Sequence, residues 1–169
     1  METSRLMADF NWLPNEFIKQ KNVTEATYIQ ALYRIFTEDF INDPANFRGQ
    51  KLALKKHPKK DNKEATFWHM ITEGKDEMTR TIEYSRASKL PWVKPVILNE
   101  AKTEVKVWEN IRKSETRIVL WLEQKDYVVV LAKRKGYILP WTAYPVTYSH
   151  TRDKLLKEYT AYIKQKTPR

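Results

Sequence analysis

The 169-residue chain is 41% hydrophobic and 31% charged, a balance that excludes a disordered polymer and suits one domain with a genuine core. It contains no cysteine, which excludes disulfides, thiolate catalysis and cysteine-ligated zinc. Its 31 basic against 21 acidic side chains leave a formal charge of +10, which favours a polyanionic partner.

The first segment, residues 1–21, reads as an arm. Phe10, Trp12, Leu13, Phe17 and Ile18 surround Pro14 and are expected to pack back onto the body. No basic region followed by a long apolar run opens the chain, and no stretch approaches the ~18 apolar residues of a membrane span. A cytoplasmic protein without a membrane partner is the expectation.

A helix is predicted from Asn22, where Asn22 and Glu25 have capping-box spacing, with Ile29, Leu32, Phe36 and Phe40 on its inner face and Pro44 closing it. Residues 47–57 read as a strand leading to a turn at Pro58. Asp61 caps the next helix, Glu64 lies three residues on, and Gly74 supplies the stop. A further helix is predicted over 77–87, then an extended segment over 90–98 forced by Pro91 and Pro95. A strand at 104–108 precedes three more, RIVLWLE, YVVVLAK and YILPWTAY, joined by connections of hairpin length. A helix over 151–164 ends the chain, burying Leu155, Leu156, Tyr159 and Ile163. Helices first, then a sheet, then a helix make an α+β fold: N-terminal helices packed on a curved antiparallel sheet of about four strands, with a C-terminal helix.

No metal-ligand cluster, P-loop or dinucleotide fingerprint is present, so no cofactor is implied. The three histidines, His57, His69 and His150, are the groups best suited to exchange protons near neutral pH. His69, on a helix beside Trp68, is the first choice; its bland alternative is a hydrogen-bonded histidine at a helix–sheet seam. His57 reads as a turn residue among Lys55, Lys56, Lys59 and Lys60, and His150 as a cap or phosphate contact. Two-residue periodicity puts Thr142 and Tyr144 on one face of the last strand, together with Ile138 and Pro140. Thr142 suits a phosphate oxygen, and Tyr144 suits base stacking or proton donation, unless both are ordinary strand residues. Pro140 cannot donate to a ladder, so its strand is at an edge or bulged. Arg117, Arg134, Arg80 and Arg86 offer planar forks for phosphate. Lys55, Lys56, Lys59, Lys60, Lys133 and Lys135 read as backbone-binding cations, which confer affinity without sequence specificity.

Four blocks in order carry a resemblance: Lys56-His57-Pro58, residues 66–74 (TFWHMITEG), residues 90–97 (LPWVKPVI), and the strands ending Thr142-Ala143-Tyr144. The chain resembles a phage- and plasmid-associated family related to the barnase–EndoU–colicin–RelE-like (BECR) ribonucleases. The likeness spans roughly residues 47–160 and departs from the family pattern at Pro140. It divides the single domain, 1–169, into the arm (1–21) and a ribonuclease-like body (22–169). It implies metal-independent RNA cleavage on the open face of a four-stranded sheet. Catalytic roles would fall to His69, Arg117 or Arg134, and Thr142 with Tyr144, while Trp68 or Tyr144 stacks on a base. The function so implied is a toxin-like, mobile-element endoribonuclease. RNA (tRNA or ribosome-associated mRNA) would be its substrate, and an antitoxin or immunity protein a further candidate partner. The competing expectations are a non-catalytic nucleic-acid-binding module and a mobile-element protein that binds an acidic host protein.

Overall fold

Four long strands follow residue 104, and each buries side chains on both of its faces. In the computed structural model, which describes residues 9–166, these are β5 (Val105–Arg112), β6 (Glu115–Leu122), β7 (Tyr127–Arg134) and β8 (Tyr137–Pro145). Before them come α1 (Glu25–Thr37), the two-residue strands β1 (Asn46–Phe47) and β2 (Gln50–Lys51), and α2 (Ala65–Ile71). A second short pair, β3 (Thr72–Glu73) and β4 (Thr81–Ile82), leads to α3 (Tyr84–Ala87) and α4 (Val93–Leu98); α5 (Ser149–Lys166) ends the fold. The large sheet is an antiparallel meander in the order β5-β6-β7-β8. The α+β architecture is as the sequence predicts.

Alternation divides the sheet into two apolar faces. Ile118, Leu120, Leu122, Val129 and Leu131 meet the N-terminal helices in the main core, which includes Leu32, Phe36, Phe67 and Ile71. Trp108, Val119, Trp121 and Val128 face the other way, onto Leu155 of α5. Glu158 pins that helix, accepting from Trp108 Nε1 (3.2 Å), Asn110 Nδ2 (3.1 Å) and Arg112 Nη2 (2.9 Å). Of the four residues expected beneath α5, Leu155 is buried and Tyr159 half-buried, whereas Leu156 and Ile163 are exposed. One helix on a twisted sheet needs only a narrow apolar stripe, and this one covers only part of the face.

Residues 1–8 of the arm lie outside the described residues. From Phe10 to Phe17 the arm docks through its backbone: Phe17 N–H donates to the Ser88 carbonyl (2.8 Å) and Trp92 Nε1 to that of Pro14 (2.8 Å). Ile18 stays exposed. Several boundaries differ from expectation. Thr24, not Asn22, caps α1, its hydroxyl accepting from the Thr27 N–H. The 47–57 segment forms the small β1–β2 hairpin and then runs without a ladder, although Ala53 N–H reaches the Ile138 carbonyl (2.8 Å). Asp61 has φ of +50°, and Glu64 takes the position before α2. Residues 77–87 hold a turn, β4 and the short α3. Residues 90–98 are helical, because Pro91 and Pro95 fall in the opening turns, where a missing N–H costs no hydrogen bond.

Candidate functional site

The site begins with a fault in β8. Val130 pairs with Thr142 and Leu131 with Pro140, so Trp141 is an extra residue in the register. Pro140 has no N–H to give, and β8 is the sheet's edge strand, so the bulge costs little. It also overturns the predicted sharing of a face. Ile138 belongs to the main core, whereas Tyr144 packs with the second one, and Thr142 turns to that side with it. Simple alternation fails because one residue has been added.

Trp141 is half-buried and ringed by charge. The Arg117 guanidinium lies 4.3 Å from its ring centroid, Lys55 Nζ 5.6 Å and the Arg134 guanidinium 5.7 Å. The His69 imidazole meets it edge-on at 5.3 Å. Such cation–ring contacts contribute about 0.5–2 kcal/mol each, depending on desolvation. Glu115 spaces the two arginines, accepting from Arg117 Nη2 (3.0 Å) and Arg134 Nε (2.9 Å). These bonds, Arg134's foremost, hold the Glu115 carboxyl below the usual range.

Every residue of α2 is buried, and its packing on β8 carries His69 to the sheet edge. His69 Nε2 lies 3.1 Å from Glu77 Oε1, which Lys55 Nζ also reaches at 2.8 Å. Burial lowers the imidazole pKa, and the Arg80 and Lys55 charges add to this against the pull of Glu77. The Lys55 bond foremost keeps the Glu77 carboxyl low and therefore ionised. An ionised carboxylate only accepts, so Nε2 carries the proton and Nδ1 keeps the lone pair. The result is a neutral, oriented imidazole.

Thr142 Oγ1 is 3.5 Å from the His69 carbonyl oxygen and stands between two depressions. One, of about 320 Å³, is lined by His69, Glu77, Arg80, Arg86, Trp141 and Thr142 among others. The other, of about 210 Å³, lies on the part of the sheet that α5 leaves open and includes Arg112, Arg117, Trp141, Thr142 and Tyr144. Arg80 grips the start of the β3–β4 connection, donating from Nε to Thr72 Oγ1 (2.9 Å) and from Nη1 to the Gly74 carbonyl (2.6 Å). Arg86 donates through Nη1 to the Thr72 carbonyl (3.1 Å) and approaches the Tyr144 ring at 5.8 Å. Tyr144 is half-buried, its pKa raised first by burial and then by Glu158.

The structure thus brings together His69, Lys55, Arg117, Arg134 and Thr142, with Arg80, Arg86 and Tyr144 at the margins. The remaining candidates stand apart. Lys56, His57 and Lys59 are exposed on a loop with a cis His57–Pro58 bond. Trp68 is 8% exposed, with Nε1 bonded to the Lys60 carbonyl and Lys60 Nζ over its ring, which leaves no open face for a base. Lys133 lies 3.8 Å from Glu109, Lys135 is exposed beside the turn, and His150 stacks on Tyr148. Sequence reasoning missed Trp141, Glu115 and Glu77. Pro140 signalled the first, and hairpin register could have placed Glu115 beside Arg117 and Arg134. Nothing in the sequence points to Glu77.

Among the described residues, no group of three or more His, Asp or Glu is placed to hold a metal ion, and no helix is long and apolar enough to cross a membrane. In comparisons with known proteins, the chain matches no family model, no curated protein and no solved structure.

Proposed function

We propose that the protein is a metal-independent endoribonuclease related to the BECR ribonucleases. The observation that supports this best is the convergence of a neutral His69, three cations and the Thr142 hydroxyl around Trp141. RNA cleavage through the 2′-hydroxyl needs a base, cations for the phosphorane and a proton for the leaving oxygen. His69 Nδ1 takes the 2′-hydroxyl proton, and the 2′-oxygen bonds to phosphorus. Arg117 and Arg134 stabilise the added negative charge while Thr142 donates to a phosphate oxygen. The P–O5′ bond breaks, and the 5′-oxygen takes a proton from the Tyr144 hydroxyl or from water, giving a 2′,3′-cyclic phosphate and a 5′-hydroxyl. Glu77 orients the imidazole. On the same reading the protein acts in the cytoplasm on tRNA or ribosome-associated mRNA, in the toxin-like setting of a mobile element. An antitoxin or immunity protein would be its natural counterpart.

The test is incubation of purified protein with total RNA or tRNA in EDTA, followed by end-group analysis. Fragments with cyclic-phosphate ends from the wild type, and none from His69→Ala, are expected. Salt-sensitive binding without cleavage would replace this reading with the non-catalytic one. A stoichiometric complex with an acidic protein and no affinity for RNA would favour the third.

A further inference from the structure

The His69 depression does not end at Arg86. A neighbouring hollow of about 390 Å³ shares Glu73 and Arg86 with it and continues past Tyr144 to Thr147, Tyr148 and Thr151. Tyr148 stands on its rim, 65% exposed, and its ring stacks on that of His150 at 5.4 Å with a 21° interplanar angle. An exposed aromatic held flat by a second ring is a poor solvent-facing side chain but a ready surface for a planar base.

We infer that this hollow is a subsite for single-stranded RNA beyond the scissile bond, in which Arg86 meets a backbone phosphate and Tyr148 stacks on a base. The inference rests on the ribonuclease reading and extends it to the form of the substrate, an unpaired strand of several nucleotides. Arg86 is placed for this role. It spends Nη1 on the Thr72 carbonyl, and its Nε and Nη2 are unbonded among the described residues. Of the two carboxylates that line the hollow, Glu83 is occupied by the Ser85 and Arg86 N–H groups and the Ser85 hydroxyl. Glu73 is exposed, so solvent screens its repulsion of a phosphate. Paired bases hide their faces in the stack, so the Tyr148 surface discriminates against a duplex.

The test separates binding from cleavage by using a fluorescein-labelled, 2′-O-methyl RNA dodecamer that cannot be cut. Anisotropy is read for the single strand and for its duplex. The wild type should prefer the single strand, and Tyr148→Ala should weaken that binding roughly tenfold, the scale of one lost base–aromatic stack. Duplex binding should change little, and Tyr148→Phe, which keeps the ring, should behave as wild type. Equal single-strand affinity for wild type and Tyr148→Ala, or no preference for the single strand, would overturn the subsite. If the wild type cuts no RNA yet Tyr148→Ala still weakens single-strand binding, the ribonuclease reading fails and the strand-binding surface stands.

Discussion

His69 and Glu77 lie eight residues apart in the chain and meet side chain to side chain, with Nε2 3.1 Å from Oε1. The contact fixes which nitrogen holds the proton, and Lys55 on the same oxygen keeps the carboxylate charged. On the ribonuclease reading, activity depends on His69 being neutral, so cleavage should rise with pH along a limb below the usual imidazole value of 6.5. Glu77 pulls that pKa upward. Glu77→Gln should move the acid limb of kcat/KM to still lower pH and reduce the plateau, since the tautomer is no longer selected. A limb that moves to higher pH, or does not move, contradicts the arrangement.

The same shift affects stability. With its folded pKa below the unfolded value, His69 binds its proton in the unfolded chain first. Its contribution is complete above pH 6.5 and is lost as pH falls towards the folded pKa. Asp39 acts oppositely: burial raises it to about 6, so its contribution is present in acid and lost as pH rises through that value. Urea unfolding of wild type and His69→Gln at several pH values isolates the first effect. Below pH 6.5 the wild type should lose more stability than the variant.

Glu115 offers a test of the cationic half of the site. Its single carboxylate pairs with both Arg117 and Arg134 in the free protein and offsets one of their two charges, so on the ribonuclease reading an incoming phosphate competes with it. Glu115→Gln keeps the shape and removes the charge. RNA affinity at low salt should rise several-fold, with a steeper dependence on salt concentration, because two guanidinium groups become free to displace counterions. Weaker binding, measured by anisotropy on a non-cleavable strand, would show that Glu115 is needed to hold the arginines in place.

The sheet was legible because its strands alternate over long apolar runs and its turns are short. Register beyond Pro140 was not, since a bulge inverts faces without altering composition. Residues 90–98 misled because proline signals both extended chain and helix onset, and only packing of Val93, Val96 and Ile97 into the core decides between them. His69, Arg117, Arg134 and Thr142 could be named from residue type and position. Glu77 could not, because the β3–β4 connection that carries it has no periodicity. Trp141 could not be singled out from residue type, because only the inserted position leaves its indole among cations.

Gly74 holds φ of +134°, and a Cβ there would lie 3.3 Å from Arg80 Cα. Gly74→Ala is therefore strained twice, by its dihedral and by contact with the backbone of the residue that grips this turn. A loss of roughly 1–3 kcal/mol is expected from urea unfolding. Cleavage should fall as well, because Glu77 hangs from the same connection.

Leu155 is the buried residue of α5, 6% exposed against Trp108, Val119, Trp121 and Val128. Removing its side chain should cost about 2–5 kcal/mol, the range for large-to-small substitutions in a core. The effect should also be local. The face that α5 covers is separated by the sheet from the larger core, so hydrogen exchange should accelerate in α5 and β5 before it does in α2. Glu158 adds polar contacts from the same helix, and Glu158→Gln, which keeps an acceptor for Trp108 but loses the charge facing Arg112, should cost less than Leu155→Ala. If the two substitutions rank the other way, the helix is held by its carboxylate rather than by apolar burial.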